Sequence, residues 1–214
     1  MKKQILFLVF TAFASCFVSA QSFEITPSYG YQFGTKLSYG PNYIKMEDSD
    51  QFGINLGFEL QTGMMLDLSY YNMSSEVRIR DVIVAPFEQR LADLNLDWFF
   101  IGATRYLQSG PLKPFAGGGL GLVIISPKNE NPDILNASFS NETKFAFSFK
   151  AGVNYMFSDV IGINLQGNLF FPVNYGGFYV GSGGAGISTG STVILGGFSG
   201  GLIFRLDTGQ KKTD

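Results

Sequence analysis

The sequence contains no histidine and a single cysteine, Cys16. Without an imidazole, a Ser–His or Cys–His nucleophile pair and a histidine-based zinc site are excluded. Cys16 lies in an N-terminal stretch that reads as a leader, so cleavage after it leaves no thiol or disulfide chemistry in the mature chain. Charged residues make up only 15% and the formal net charge is −2. That argues against nucleic acid as a partner, because its recognition needs a basic surface. Tryptophan occurs once, at Trp98. Beyond residue 20 no run reaches the ~18 consecutive apolar residues of a membrane helix. What the chain does have is glycine, 27 residues, and aromatic rings, 15%.

Met1 to Ala20 reads as an export signal. Lys2 and Lys3 open it, Ile5 to Ala14 form the apolar run, and Val18-Ser19-Ala20 supplies small residues for cleavage. The run is too short to span a bilayer. Phe13-Ala14-Ser15-Cys16 also loosely matches a lipoprotein box, whose product would be anchored by acyl chains on Cys16. Phe13 fits that box poorly, and the Val-Ser-Ala site lies close to the first strand.

The mature chain alternates apolar and polar residues at period two, the pattern of strands with one greasy and one polar face. Ile161, Ile163, Leu165, Leu169 and Phe171 point one way, and Gly162, Asn164, Gln166 and Asn168 the other. Eight such segments are predicted: 23–33, 52–61, 64–75, 92–107, 114–125, 144–157, 161–171 and 192–206. In the fourth, Leu94, Leu96, Trp98 and Phe100 are assigned outward, with Asn95, Asp97, Phe99 and Arg105 inward. The connections near Gly63, Gly110 and Asp159 are short, and those at 34–51, 76–91, 126–143 and 173–191 are long. A membrane protein without spanning helices has to be a closed barrel, with short periplasmic turns and long outer loops. The expected fold is therefore all-β: an eight-stranded antiparallel up-and-down transmembrane barrel over 21–206, after a signal peptide at 1–20 and before a short periplasmic tail at 207–214. Both termini of the barrel then face the periplasm. Tyr29, Tyr31 and Tyr70 fall toward outer strand ends, and Tyr106, Tyr155, Phe157 and Phe204 toward inner ends, as two interfacial belts would.

The Ala20-Gln21 junction, the Ile25-Thr26-Pro27-Ser28-Tyr29-Gly30-Tyr31 opening, the Lys113-to-Gly119 strand and the aromatic ending at Phe204 carry a family resemblance. The chain resembles the small eight-stranded outer-membrane barrels of the OmpA/OmpX/OmpW-like group, most of all the Bacteroidetes-type outer-membrane protein β-barrel domain. The resemblance implies an outer-membrane protein; the missing histidine disfavours an enzyme, and no cofactor is expected. The resemblance also implies lipid and lipopolysaccharide as surroundings, the barrel-assembly machinery as a partner, and a monomer. Such barrels commonly end on an aromatic; here Asp207 to Asp214 follow.

An eight-stranded barrel is just wide enough for side chains to fill it, so inward residues decide between plug and pore. Glu24, Glu59, Asp67, Asp97, Arg105, Lys150 and Arg205 are predicted to form a lumen ion-pair network, since an enclosed charge is costly unless paired. Phe99, Tyr71, Phe115 and Phe170 are predicted to point inward, as packing or as the wall of a greasy pocket. Two functions follow: a structural or surface-interacting barrel with its lumen filled, or a minor transport protein for small or hydrophobic solutes. Glu47, Asp48 and Asp50 are read as a solvated loop, with weak calcium binding as the alternative. Residues 181–186 match G-x-G-x-x-G outside any βαβ unit and read as a flexible outer loop. The sequons at Asn72, Asn136 and Asn141 are treated as chance matches. Val77, Ile79, Val82 and Val84 keep a partial strand pattern, predicting that the third and fourth strands protrude as a hairpin open to an extracellular partner.

Overall fold

The computed structural model describes residues 22–61, 63–83, 85–107, 110–132, 140–173, 175–181, 184–189 and 194–207. The export signal, Cys16 and the tail beyond Asp207 lie outside the described residues. The strands are β1 Ser22–Gln32, β2 Thr35–Tyr39, β3 Asn42–Met46, β4 Ser49–Gln61, β5 Met64–Asp81, β6 Ala85–Tyr106, β7 Leu112–Lys128, β8 Glu142–Met156, β9 Ile161–Pro172, β10 Tyr175–Gly181, β11 Gly184–Thr189 and β12 Leu195–Asp207. Eight of them form an antiparallel ring in the order β5-β4-β1-β12-β9-β8-β7-β6, closed by β5 against β6. The first and last strands meet, with Glu24 opposite Arg205 and Tyr31 opposite Phe198. Closure leaves no ladder edge, which is what a sheet in lipid requires.

Alternation places the side chains. On β9, Ile161, Ile163, Leu165 and Leu169 are 43–60% exposed, whereas Asn164, Gln166 and Asn168 are at most 8% exposed. On this strand the exposed face is thus apolar and the buried face polar over residues 161–169, the inverse of a soluble protein. Gly63 makes the turn from β4 to β5 with φ of 81°, a left-handed conformation that glycine adopts without strain.

The long connection at 34–51 is not a loop. β2 and β3 form a hairpin in which β3 pairs with the far end of β5, Tyr43 opposite Arg80. Residues 181 and 184 likewise pair within a separate β10–β11 hairpin rather than a flexible Gly/Ser loop. β5 and β6 stay paired as far as Asp81 opposite Ala85, while β7 stops at Lys128 opposite Asp93. The β5–β6 hairpin therefore stands beyond the ring, as the residues at 77–84 predicted; Val84 itself lies outside the described residues.

Ion pairs brace these hairpins: Arg78 lies 2.8 Å from Glu76, 3.3 Å from Glu88 and 3.5 Å from Glu47, and Lys45 2.7 Å from Glu47. The Tyr43 hydroxyl donates to Glu88 at 2.5 Å. That hydrogen bond, with Arg78 beside it, holds the Glu88 carboxyl below the usual carboxylate range. A depressed carboxyl contributes stability above its unfolded value and loses it as pH falls through the folded one. Amide exchange over residues 85–90, corrected for intrinsic rate, is expected to be unchanged from about pH 7 to 5 and to rise below about pH 4. Faster exchange already at pH 5 would contradict this brace.

One strand reverses its predicted faces. On β6, Leu96, Trp98 and Phe100 are 4%, 1% and 4% exposed, while Phe99 and Ile101 are 48% and 59% exposed. Register explains it: Trp98 pairs with inward Tyr71, and Asp97 with outward Asn72. The prediction assumed that the greasy face of every strand meets lipid. At the outer end of the barrel the lumen is itself apolar, so the greasy face of β6 turns in.

Candidate functional site

The barrel interior has two parts, polar toward the short turns and apolar toward the hairpins. Three strands bring charge to the polar end. Arg205 on β12 reaches Glu59 on β4 at 2.5 Å and Glu24 on β1 at 3.3 Å. Glu24 and Glu59 are 4% and 9% exposed, so the fork of the guanidinium neutralises two carboxylates already removed from water. Ser22 donates to Glu59 at 2.7 Å and Tyr106 to Glu24 at 2.8 Å. One step inward, Lys150 on β8 lies 3.1 Å from Asp67 on β5, which also accepts from Thr104 and, at 3.3 Å, from Asn55. Asn154, Asn164, Gln166, Asn168 and Ser199 continue a hydrogen-bonded lattice across the lumen. Two voids remain here, of about 20 and 10 Å³, room for about one water each.

Five of the seven predicted network residues are thus brought together: Glu24, Glu59, Asp67, Lys150 and Arg205. Two are not, and both lie on β6. Arg105 is exposed on the outer wall. Asp97 also faces outward, accepting from Tyr70 and Asn72 at 2.7 Å each and from Asn95 at 2.8 Å. Those three donors hold the carboxylate on the outer wall. Phe99, predicted inward, packs outside against Tyr70, ring centroids 5.1 Å apart. Tyr106, predicted to join the inner belt, turns in to Glu24 for the same reason of parity.

Between the two parts lies a plate of rings. Phe170 stacks on Trp98 at 5.0 Å and on Phe100 at 5.5 Å, and packs on Tyr71 at 5.1 Å. Gly53 makes room for it: a Cβ there would sit 2.6 Å from the Tyr71 ring. The Tyr71 hydroxyl points to the polar side, accepting from Gln166 at 3.3 Å.

Above the plate, toward the hairpins, lies a cavity of about 230 Å³. Its wall is Leu37, Ile44, Met46 and Val77 from the outer strands and Leu94, Leu96, Trp98, Val123, Ile125 and Leu195 from the ring, with Lys144 and Thr35 as polar members. Tyr71 and Phe170 were legible as inward rings. Trp98, Leu96 and Phe100 were missed, although Gly102 and Thr104, inward on the same parity, carried the signal. Of the carboxylates read as a solvated loop, with calcium as the alternative, Glu47 meets Lys45 and Arg78, and Asp48 accepts from the Tyr31 hydroxyl at 2.5 Å and the Gly34 amide at 2.6 Å.

No protein-family model matches this chain, and no curated protein matches it in sequence. Its coordinates superpose on the outer membrane protein OprG from Pseudomonas aeruginosa with a TM-score of 0.66 at 11% identity, covering 89% of this chain and 98% of that one. It has the fold of the small outer-membrane β-barrels. Neisserial surface protein A gives a TM-score of 0.55 at 14% identity, covering 86% of this barrel and 97% of its own chain. The outer membrane protein AlkL, solved in lipid bilayers, gives 0.51 at 12%, covering 90% and 93%. At such identities the shared property is the barrel itself, and side chains have to be argued from this chain.

Proposed function

We propose that this protein is an outer-membrane barrel that holds small apolar molecules in a well open toward the cell exterior, above a lumen shut by side chains. One observation carries the reading: the apolar cavity of about 230 Å³, floored by Trp98, on whose ring Phe170 and Phe100 stack from beneath. The volume is below the range of drug-sized sites, so the guest is small. Between the Arg205 cluster and the ring plate the voids are of about 20 and 10 Å³, which supports a barrel that passes no ions; the space of about 250 Å³ lined by Lys113, Asp159 and Arg205 lies at the mouth beside the short turns. Of the two sequence-based readings, the filled lumen describes the inner half and the solute reading the outer half. The apolar outer wall supports placement in the outer membrane, with the first strand starting and the last strand ending at the periplasmic side and lipid and lipopolysaccharide as neighbours. The absence of histidine supports a non-enzymatic role.

A second reading rests on the hairpin tip, where Val82, Ile83 and Phe87 are 59%, 89% and 81% exposed: a surface-interacting barrel whose partner meets that tip. Trp98, the sole tryptophan, lies inside the barrel and reports on the well directly. In lipid vesicles, 1-bromooctane is expected to quench Trp98 fluorescence saturably. Purified barrel in planar bilayers is expected to show no discrete conductance steps. Unquenched Trp98 would favour the second reading, and stable unitary conductance would refute the shut lumen.

A further inference from the structure

Among the described residues, six buried side-chain polar atoms have no hydrogen-bond partner, and five of them lie in three successive inward rows at the hairpin end of the ring. They are both amide atoms of Gln51, Gln32 Oε1, Ser49 Oγ and Trp98 Nε1. Gln32, Gln51 and Trp98 are at most 1% exposed and Ser49 is 8% exposed. A buried donor or acceptor left alone is costly, whereas the same atom with a partner is nearly neutral or favourable. Their clustering therefore marks the place where a polar partner is missing.

Register ties this cluster to the well. Gln51 pairs with Met73, and Met73 with Leu96, which lines the cavity. Gln32 pairs with Ser49 and donates its amide to the carbonyl of Gly196, the neighbour of the cavity residue Leu195. Trp98 lines the cavity itself. Only Met73 stands between Gln51 and the wall residue Leu96 in their row, and an unbranched thioether side chain changes rotamer readily. None of the four polar residues carries charge, and a charged group placed among apolar walls would have to be paired.

We propose that the guest of the well is an amphiphile with an uncharged hydrogen-bonding head, such as a hydroxyl or amide. Its chain fills the apolar cavity beside Trp98, and its head takes partners from the Gln51, Ser49 and Gln32 group. This rests on the reading of the cavity as a guest site and names the class of guest.

The experiment compares 1-bromooctane, 8-bromo-1-octanol and 8-bromooctanoate as quenchers of Trp98 in vesicles, each corrected for its partition into the bilayer. The alcohol is expected to bind about tenfold more tightly than the bromoalkane, the size of effect that one or two net hydrogen bonds produce, and more tightly than the carboxylate. Gln51→Leu, which keeps Trp98, is expected to bring alcohol and alkane to within about twofold of one another. Ser49→Ala, which removes one oxygen, is expected to narrow the gap in the same direction and covers the case that Gln51→Leu fails to form a barrel. Equal binding of alcohol and alkane by the wild-type chain overturns this assignment but leaves the well intact. Tightest binding by the carboxylate also overturns it, and points to Lys144 at the cavity wall. A gap unchanged in both variants overturns it, leaving the four residues as a site for water. No quenching by any of the three overturns the well as well as its head group.

Discussion

Arg205→Ala is expected to cost about 3–5 kcal/mol of barrel stability, because it strands two buried carboxylates rather than removing a surface contact. Glu24 and Glu59 lie 3.3 and 2.5 Å from its guanidinium and are nearly out of water. Removing the cation leaves their desolvation uncompensated and brings two like charges to the same end of the lumen. Arg205→Lys keeps the charge but loses the planar fork that spans both partners, so an intermediate loss is expected. The measurement is thermal unfolding in detergent, read from the shift in gel mobility between folded and unfolded barrel. Closure should suffer too: the alanine variant is expected to show conductance that the wild type lacks. A midpoint unchanged from wild type would show that the neighbouring hydroxyls of Ser22 and Tyr106 satisfy the carboxylates without it.

Phe170→Ala is the second large effect, about 3–5 kcal/mol, the usual range for deleting a fully packed ring. Phe170 is 1% exposed and touches Tyr71, Trp98 and Phe100 at centroid distances of 5.0–5.5 Å, so its loss removes the keystone of the plate. The void would join the apolar well to the polar lattice and admit water beside Trp98. A red-shifted Trp98 emission together with the lowered unfolding midpoint is therefore expected. A lowered midpoint with emission unchanged would mean that the ring is structural but does not separate the two halves. Phe115→Ala, on the same inner face but at the polar end and 5% exposed, should lower stability without shifting Trp98.

The ring of eight strands was legible because lipid outside and hydrogen-bonding groups inside impose a period of two that composition cannot hide. Glu24, Asp67 and Lys150 were legible for the same reason, since an inward charge on such a strand has few partners to choose from. Asp97 was misplaced because the rule that polar residues face in holds only where the lumen is polar, and Arg105 was assigned by the same parity although it lies at the polar end. On β6 that rule fails from Leu94 to Phe100, and one wrong parity carried Trp98, Phe99 and Tyr106 with it. The β2–β3 hairpin escaped notice because its segments are five residues each and lean on β5 rather than on each other alone. Gln51 was read as the last residue of a long connection, and its unpartnered amide was illegible until Ser49–Gln61 was placed as one strand with its neighbours.

The pairing of β1 with β12 has a consequence for how the barrel comes into being. Glu24 and Arg205 are 181 residues apart, so their contact belongs to the seam that only the last strand can shut. Until β12 arrives, β1 offers an unpaired edge and Glu24 and Glu59 lack the guanidinium that bridges them. Contacts of such long sequence separation form late and slowly. The same arginine is therefore delivered to the interior by the final step of assembly, which makes charge neutralisation and completion of the circle a single event.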